Sequence, residues 1–119
     1  MKILVIDDEK LIRNSLKRVF EKQSYIVEMA ENGEEGIHKW REFRPDVVFL
    51  DWIMPKKNGL QVLESGIRSG CEAKVYIMSA YRNETTDLEK LNIEGFIGKP
   101  FESIDMLIRL LEDGENYDR

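Results

Sequence analysis

The sequence predicts an α/β fold: a doubly wound, five-stranded parallel sheet with helices on both faces. Three observations point there. Apolar runs alternate with amphipathic stretches five times over, the pattern of strand-helix repeats. Two of the runs, Ile3-Leu4-Val5-Ile6 and Val47-Val48-Phe49-Leu50, are unbroken, as strands covered on both faces require. The 119 residues are 42% hydrophobic and 34% charged, which suffices for one core and argues for a single domain spanning 1–119.

The strands are expected at Lys2 to Asp7, Tyr25 to Ala30, Asp46 to Asp51, Ala73 to Met78 and Gly95 to Gly98. The second alternates most between polar and apolar residues, which places it at a sheet edge. Between them, Leu11, Ile12, Leu16, Val19 and Phe20 mark one face of a first helix; Ile37 and Trp40 anchor a second, and Leu60, Leu63 and Ile67 a third. A short fourth helix is expected within Asn83 to Asn92, with Asn92 in the left-handed position that ends a helix. The fifth is the clearest, because Ile104, Leu107, Ile108 and Leu111 recur at helical spacing. From about 113 to 119 the chain is expected to be a polar, frayed tail.

Composition excludes several functions. A net charge of -5, with basic runs no longer than Lys17-Arg18 and Lys56-Lys57, is the wrong balance for a nucleic-acid surface. The single Cys71 cannot form an intramolecular disulfide, no secretory apolar segment follows Met1-Lys2, and no apolar run reaches membrane-spanning length. A cytoplasmic location is the expectation, without membrane contact.

Strand order 2-1-3-4-5, one of the two common doubly wound arrangements, puts strands 1 and 3 together at the switch point where such sheets bind ligands beyond their carboxyl ends. Strand 1 ends in Asp7-Asp8, strand 3 in Asp51, strand 4 in Ser79 and strand 5 in Lys99. Each has a local alternative: Asp8 or Asp51 as a cap, Ser79 satisfying nearby backbone, Lys99 as a solvated lysine. Coincidence at the same end of four strands is harder to attribute to capping.

Three carboxylates and an ammonium make a hard-cation site with a counter-charge. Without a cation at least one carboxyl would be driven toward protonation. Mg²⁺ removes that difficulty and keeps open positions for phosphate oxygens. A carboxylate, a hydroxyl, a lysine and Mg²⁺ together suit phosphoryl transfer onto an aspartate.

In order along the chain, "VIDDE", "DWIMPKKNG", "MSA" and "GKPF" resemble the receiver domain of bacterial two-component response regulators. The resemblance spans the whole chain and implies a flavodoxin-like fold and a phosphoacceptor signalling switch, a regulatory domain whose only chemistry is its own phosphorylation and dephosphorylation. It implies Asp51 as phosphoacceptor. Asp8 and Asp51 would ligate Mg²⁺ (or Mn²⁺) directly, Asp7 through water, and the Ile53 backbone carbonyl would complete the protein ligands. Ser79, the Ala80 amide and Lys99 would hold the phosphoryl oxygens, with Pro100 after a cis peptide bond.

Phe96 stands at the position of the family's switch aromatic, which would repack as Ser79 moves and alter the face made by the predicted fourth helix, strand 5 and the predicted fifth helix; plain core packing is the alternative. Partners implied are a histidine kinase or histidine phosphotransfer protein, and either a downstream protein or a fused output domain. If the chain is whole it is a stand-alone receiver; if a fragment, an output domain follows.

Ile53 and Tyr81 resemble the positions that set self-dephosphorylation rates in the family; neither is an acid or amide that would readily orient an attacking water, so a long-lived phosphoryl group is expected. The segment from Ser79 to Lys99 is a little shorter than usual for the family, at the predicted fourth helix. Met106 and Leu110 lie off the fifth helix's main stripe and suit a partner or phosphorylation-dependent homodimer surface, or simply a widened core face. Trp52 is either a fluorescent neighbour of the metal or a packing residue, Glu9 the start of the first helix, and His38 a surface residue.

A Mg²⁺-dependent phosphoaspartate hydrolase would need a second acid beside the nucleophile, where Trp52 and Ile53 stand instead. A non-phosphorylated interaction domain would not need the complete site. A nucleotide- or flavin-binding domain fails on charge, since the "DDEK" turn lacks glycines and repels phosphate.

Overall fold

The computed structural model describes residues 1–54, 57–80, 93–101 and 103–117, with backbone alone for 114–117. Five strands, β1 (Lys2–Ile6), β2 (Ile26–Ala30), β3 (Val47–Asp51), β4 (Lys74–Ser79) and β5 (Gly95–Gly98), form one sheet of order β2-β1-β3-β4-β5. Every pairing is parallel, and each strand lies within a residue of its expected bounds. The described helices are α1 (Lys10–Lys22), α2 (Gly33–Phe43), α3 (Gly59–Arg68) and α4 (Ile104–Tyr117). The helix labelled α4 is the fifth one predicted. The predicted fourth, with Asn92, lies outside the described residues, as do Tyr81 and Pro55.

Period-two alternation sorts the sheet into two cores. Leu4, Ile6, Val48, Leu50, Val75 and Ile77 face one side with Trp40, Val62 and Leu63, while Ile3, Val5, Val47, Phe49, Tyr76 and Met78 face the other with Leu16, Phe20, Leu107 and Leu111. Phe49 is stacked between Phe20 and Tyr76, with centroids 5.2 and 5.3 Å away. β2 is an edge strand and alternates accordingly, with Val27 and Ala30 buried and Ile26 and Glu28 exposed.

Helix starts follow local chemistry. Asn32 caps α2 by accepting from the Glu35 amide, and Asn58 and Gln61 close a reciprocal capping box on α3. Glu9 occupies the same position on α1 but makes no side-chain cap bond.

Three expectations need correction. Leu11 is 78% exposed; it lies more than 100° around the helix from Leu16 and so off the face that Ile12, Leu16, Val19 and Phe20 share. On α3, Leu60 and Ile67 are exposed, and the buried line is Gly59, Val62, Leu63 and Gly66. The cause is Trp40: a Cβ on Gly66 would meet its indole at 2.5 Å, so the glycine surface of α3 receives the large side chain. The backbone of α4 continues to Tyr117, through much of the expected tail; Gly114 costs a helix about 1 kcal/mol but need not end it.

Cys71 is buried, its thiol donating to the Pro45 carbonyl at 3.4 Å. His38 is exposed. Met106 and Leu110 are partly buried at the margin of the core beneath α4. No helix among the described residues is long and apolar enough to cross a membrane.

Candidate functional site

β1 and β3 are neighbours, so the residues that end them come together at the carboxyl edge. Asp7 continues the β1 ladder, donating its amide to Ala30 at 3.0 Å, and its side chain is fully buried. Asp51 ends β3 at 5% exposure, while Asp8, a residue further along, turns out to solvent. Carboxylate oxygens of Asp7, Asp8 and Asp51 all lie within 4.8 Å of one another. The strand ends predicted from sequence therefore converge on one small volume.

Lys99 reaches into this cluster from the end of β5. Its Nζ stands 2.6 Å from Asp7 Oδ2, 3.5 Å from Asp51 Oδ2 and 3.4 Å from Glu9 Oε1. Ser79 ends β4 at 3% exposure, in register with Gly98, and its carbonyl accepts the Lys99 amide at 2.9 Å. The Lys99–Pro100 peptide bond is cis. Ala80 follows β4 directly and is exposed; Ile53, two residues past β3, is 47% exposed at the rim.

Trp52 packs against the core beneath α3 and binds backbone on both sides, to Met78 and Gly59 at 2.9 Å each. Phe96 is half-buried on β5, against the same core.

The electrostatics show an excess of negative charge. Burial, then the charge of Asp7, and finally hydrogen bonding and repulsion from Asp8, outweigh the pull of Lys99 and push the Asp51 carboxyl up to about 7. Burial also raises Asp7 above the usual carboxylate range despite its hydrogen bond from Lys99. For Lys99, burial alone would favour the neutral amine, but the Asp7 hydrogen bond and the charges of Asp7, Asp51 and Glu9 prevail and raise its pKa. Asp7, Asp51 and Lys99 each hold a proton more firmly than usual. A divalent cation relieves that condition, and clustered carboxylate oxygens are its preferred donors.

Two residues at this edge escaped the sequence reading. Glu9 begins α1 as expected, but its side chain makes no cap bond and faces Lys99. Glutamate is a weak N-cap type, and that was the available signal. Arg13, with a side chain 13% exposed, donates from Nη1 to the Asp7 carbonyl at 2.9 Å and lies 3.9 Å from Glu31. Only its place one turn into the helix hinted at this.

Carboxylates, an ammonium and a hydroxyl at the switch point of a 2-1-3-4-5 sheet define a class: an α/β domain equipped for cation-assisted phosphate chemistry. Comparison with known proteins narrows the class. The family model of the response regulator receiver domain matches residues 3–111. The chain is 34% identical over 115 residues to the chemotaxis protein CheY of Listeria monocytogenes, covering 94% of this chain and 96% of that one.

Among solved structures, the Francisella response regulator 1452 receiver domain superposes with a TM-score of 0.86 at 28% identity, over 99% of this chain and 98% of that one. The Thermotoga maritima response regulator TrrA, solved in complex with Mg²⁺-BeF, gives a TM-score of 0.82 at 33% identity, over 94% and 96%. The chain belongs to the response regulator receiver domain family and is a phosphoacceptor switch of two-component signalling.

Proposed function

We propose that Asp51 accepts the phosphoryl group and that Asp7, Asp8, Asp51 and the Ile53 carbonyl hold a Mg²⁺ ion beside it, with Mn²⁺ as a substitute. The observation behind this assignment is the convergence of Asp7, Asp8 and Asp51 on one volume with Lys99 at ion-pair distance from Asp51. The Mg²⁺-BeF complex of TrrA supports it by likeness.

A carboxylate oxygen of Asp51 attacks phosphorus, and an O–P bond forms as the bond from phosphorus to the donor's imidazole nitrogen breaks. The imidazole keeps the bonding pair and leaves neutral, its other nitrogen carrying a proton. Bound Mg²⁺ supplies charge neutralisation for the carboxylates and the transferring oxygens. Lys99 turns from its carboxylate partners toward a phosphoryl oxygen, while the Ser79 hydroxyl and the Ala80 amide donate to others.

The new dianion acts as a switch only by favouring one of two arrangements of these groups. Ser79 moves toward it, Phe96 repacks, and the face made by β5, α4 and the segment between β4 and β5 changes. The donor is a histidine kinase or histidine phosphotransfer protein in the cytoplasm. The altered face engages a downstream protein, a fused output domain or a second copy of the chain, and residues 1–119 act as one receiver domain.

Intact mass measurement after incubation with a small-molecule phosphodonor and Mg²⁺ tests the assignment. The native protein gains one phosphoryl group and Asp51→Ala gains none; equal gain by both overturns it.

A further inference from the structure

We propose that Glu9 selects among phosphodonors by charge, slowing the reaction of Asp51 with dianionic donors more than with monoanionic ones; this rests on Asp51 being the phosphoacceptor. Glu9 is the N-cap residue of α1 but its side chain makes no cap bond, and its Oε1 lies 3.4 Å from Lys99 Nζ. The same ammonium lies 3.5 Å from Asp51 Oδ2. Of the three acids around Lys99, Asp7 and Asp51 have side chains 0% and 7% exposed, whereas the Glu9 side chain is 58% exposed. Glu9 is thus the outer acid on a cation that is itself only 10% exposed.

Two effects act in the same direction. An incoming phosphoryl group must take Lys99 from Glu9, and it must approach an outward-facing negative charge. The second effect scales with donor charge, because the repulsion is proportional to the product of charges and is screened by salt.

Acetyl phosphate and phosphoramidate separate these cases, being a dianion and a zwitterion of net charge minus one at neutral pH. With the first, the Asp51 oxygen bonds phosphorus as the P–O bond to the acyl group breaks and acetate leaves with the electron pair. With the second, the P–N bond breaks and ammonia leaves with the pair, its nitrogen already bearing three hydrogens.

The test is the initial rate of phosphorylation by each donor at saturating Mg²⁺ and low ionic strength, for the native protein, Glu9→Gln, Glu9→Asp and Asp51→Ala. Glu9→Gln is expected to react about fivefold faster with acetyl phosphate and about twofold faster with phosphoramidate. The difference between donors shrinks at high salt, and Glu9→Asp, which keeps the charge, retains the native donor ratio. Equal acceleration with both donors, no acceleration, or a Glu9→Asp ratio equal to that of Glu9→Gln overturns the role of Glu9. Phosphorylation of Asp51→Ala at the native rate would instead overturn the phosphoacceptor assignment beneath it.

Discussion

Lys99 Nζ is 2.6 Å from Asp7 Oδ2. The contact joins the ends of β1 and β5, which are separated in the sheet by β3 and β4. It places a cation 10% exposed against a carboxylate with no exposure at all, where breaking an ion pair leaves an uncompensated charge. In metal-free protein at neutral pH, Lys99→Met is expected to lower stability by about 3 kcal/mol. Mg²⁺ should recover more stability in the variant than in the native protein. Urea unfolding with and without Mg²⁺ checks this; an equal metal effect in both proteins would contradict the shared counter-charge.

The raised Asp51 and Asp7 carboxyls make stability depend on pH. Asp51 holds its proton up to about 7 in the folded state, against an ordinary value of 3.8. Across that window the folded state binds more protons than the unfolded one, so metal-free stability falls as pH rises. Asp7 acts in the same direction. Lys99, also raised, contributes stability that is present below 10.5 and lost only above it. On the proposed assignment a bound Mg²⁺ would replace the missing proton, so its increment in melting temperature should be small near pH 5 and large near pH 8. An increment that shrinks as pH rises would contradict the charge assignment.

Ile53 is 47% exposed at the rim beyond Asp51 and offers no group to orient water. Ile53→Asn supplies an amide there. The phosphoryl lifetime, followed by phosphate release after donor removal, is expected to shorten by about tenfold; an unchanged or longer lifetime counts against the view that the lifetime is set by the lack of a water-orienting group at position 53.

Gly66 tests the packing that supports the site from beneath. A methyl group would stand 2.5 Å from the Trp40 indole, and such overpacking costs about 1–3 kcal/mol. Gly66→Ala should lower the urea midpoint and shift Trp40 emission. A neutral substitution would mean that α2 and α3 separate easily.

The sheet was legible because strands buried on both faces announce themselves as apolar runs, and strand order then fixed which ends meet. Asp7, Asp8, Asp51, Ser79 and Lys99 could thus be gathered at one edge without coordinates. Helix faces were less legible. Counting apolar residues hides a face built from glycine, so Gly59 and Gly66 lost to Leu60 and Ile67. Glu9 and Arg13 were missed for another reason: their partners, Lys99 and the Asp7 carbonyl, are tertiary, and no local pattern encodes them. The same holds for the burial that raises the Asp51 carboxyl, which belongs to the assembled edge and not to any segment.

Among the three clustered carboxylates, Asp51 is the one expected to carry the phosphoryl group. Borohydride converts an aspartyl phosphate to homoserine, so peptide mapping of the phosphorylated and reduced protein locates the acceptor directly. Homoserine is expected at position 51, dependent on Mg²⁺ and on the donor. Homoserine at position 7 or 8, or at position 51 without donor, would contradict it.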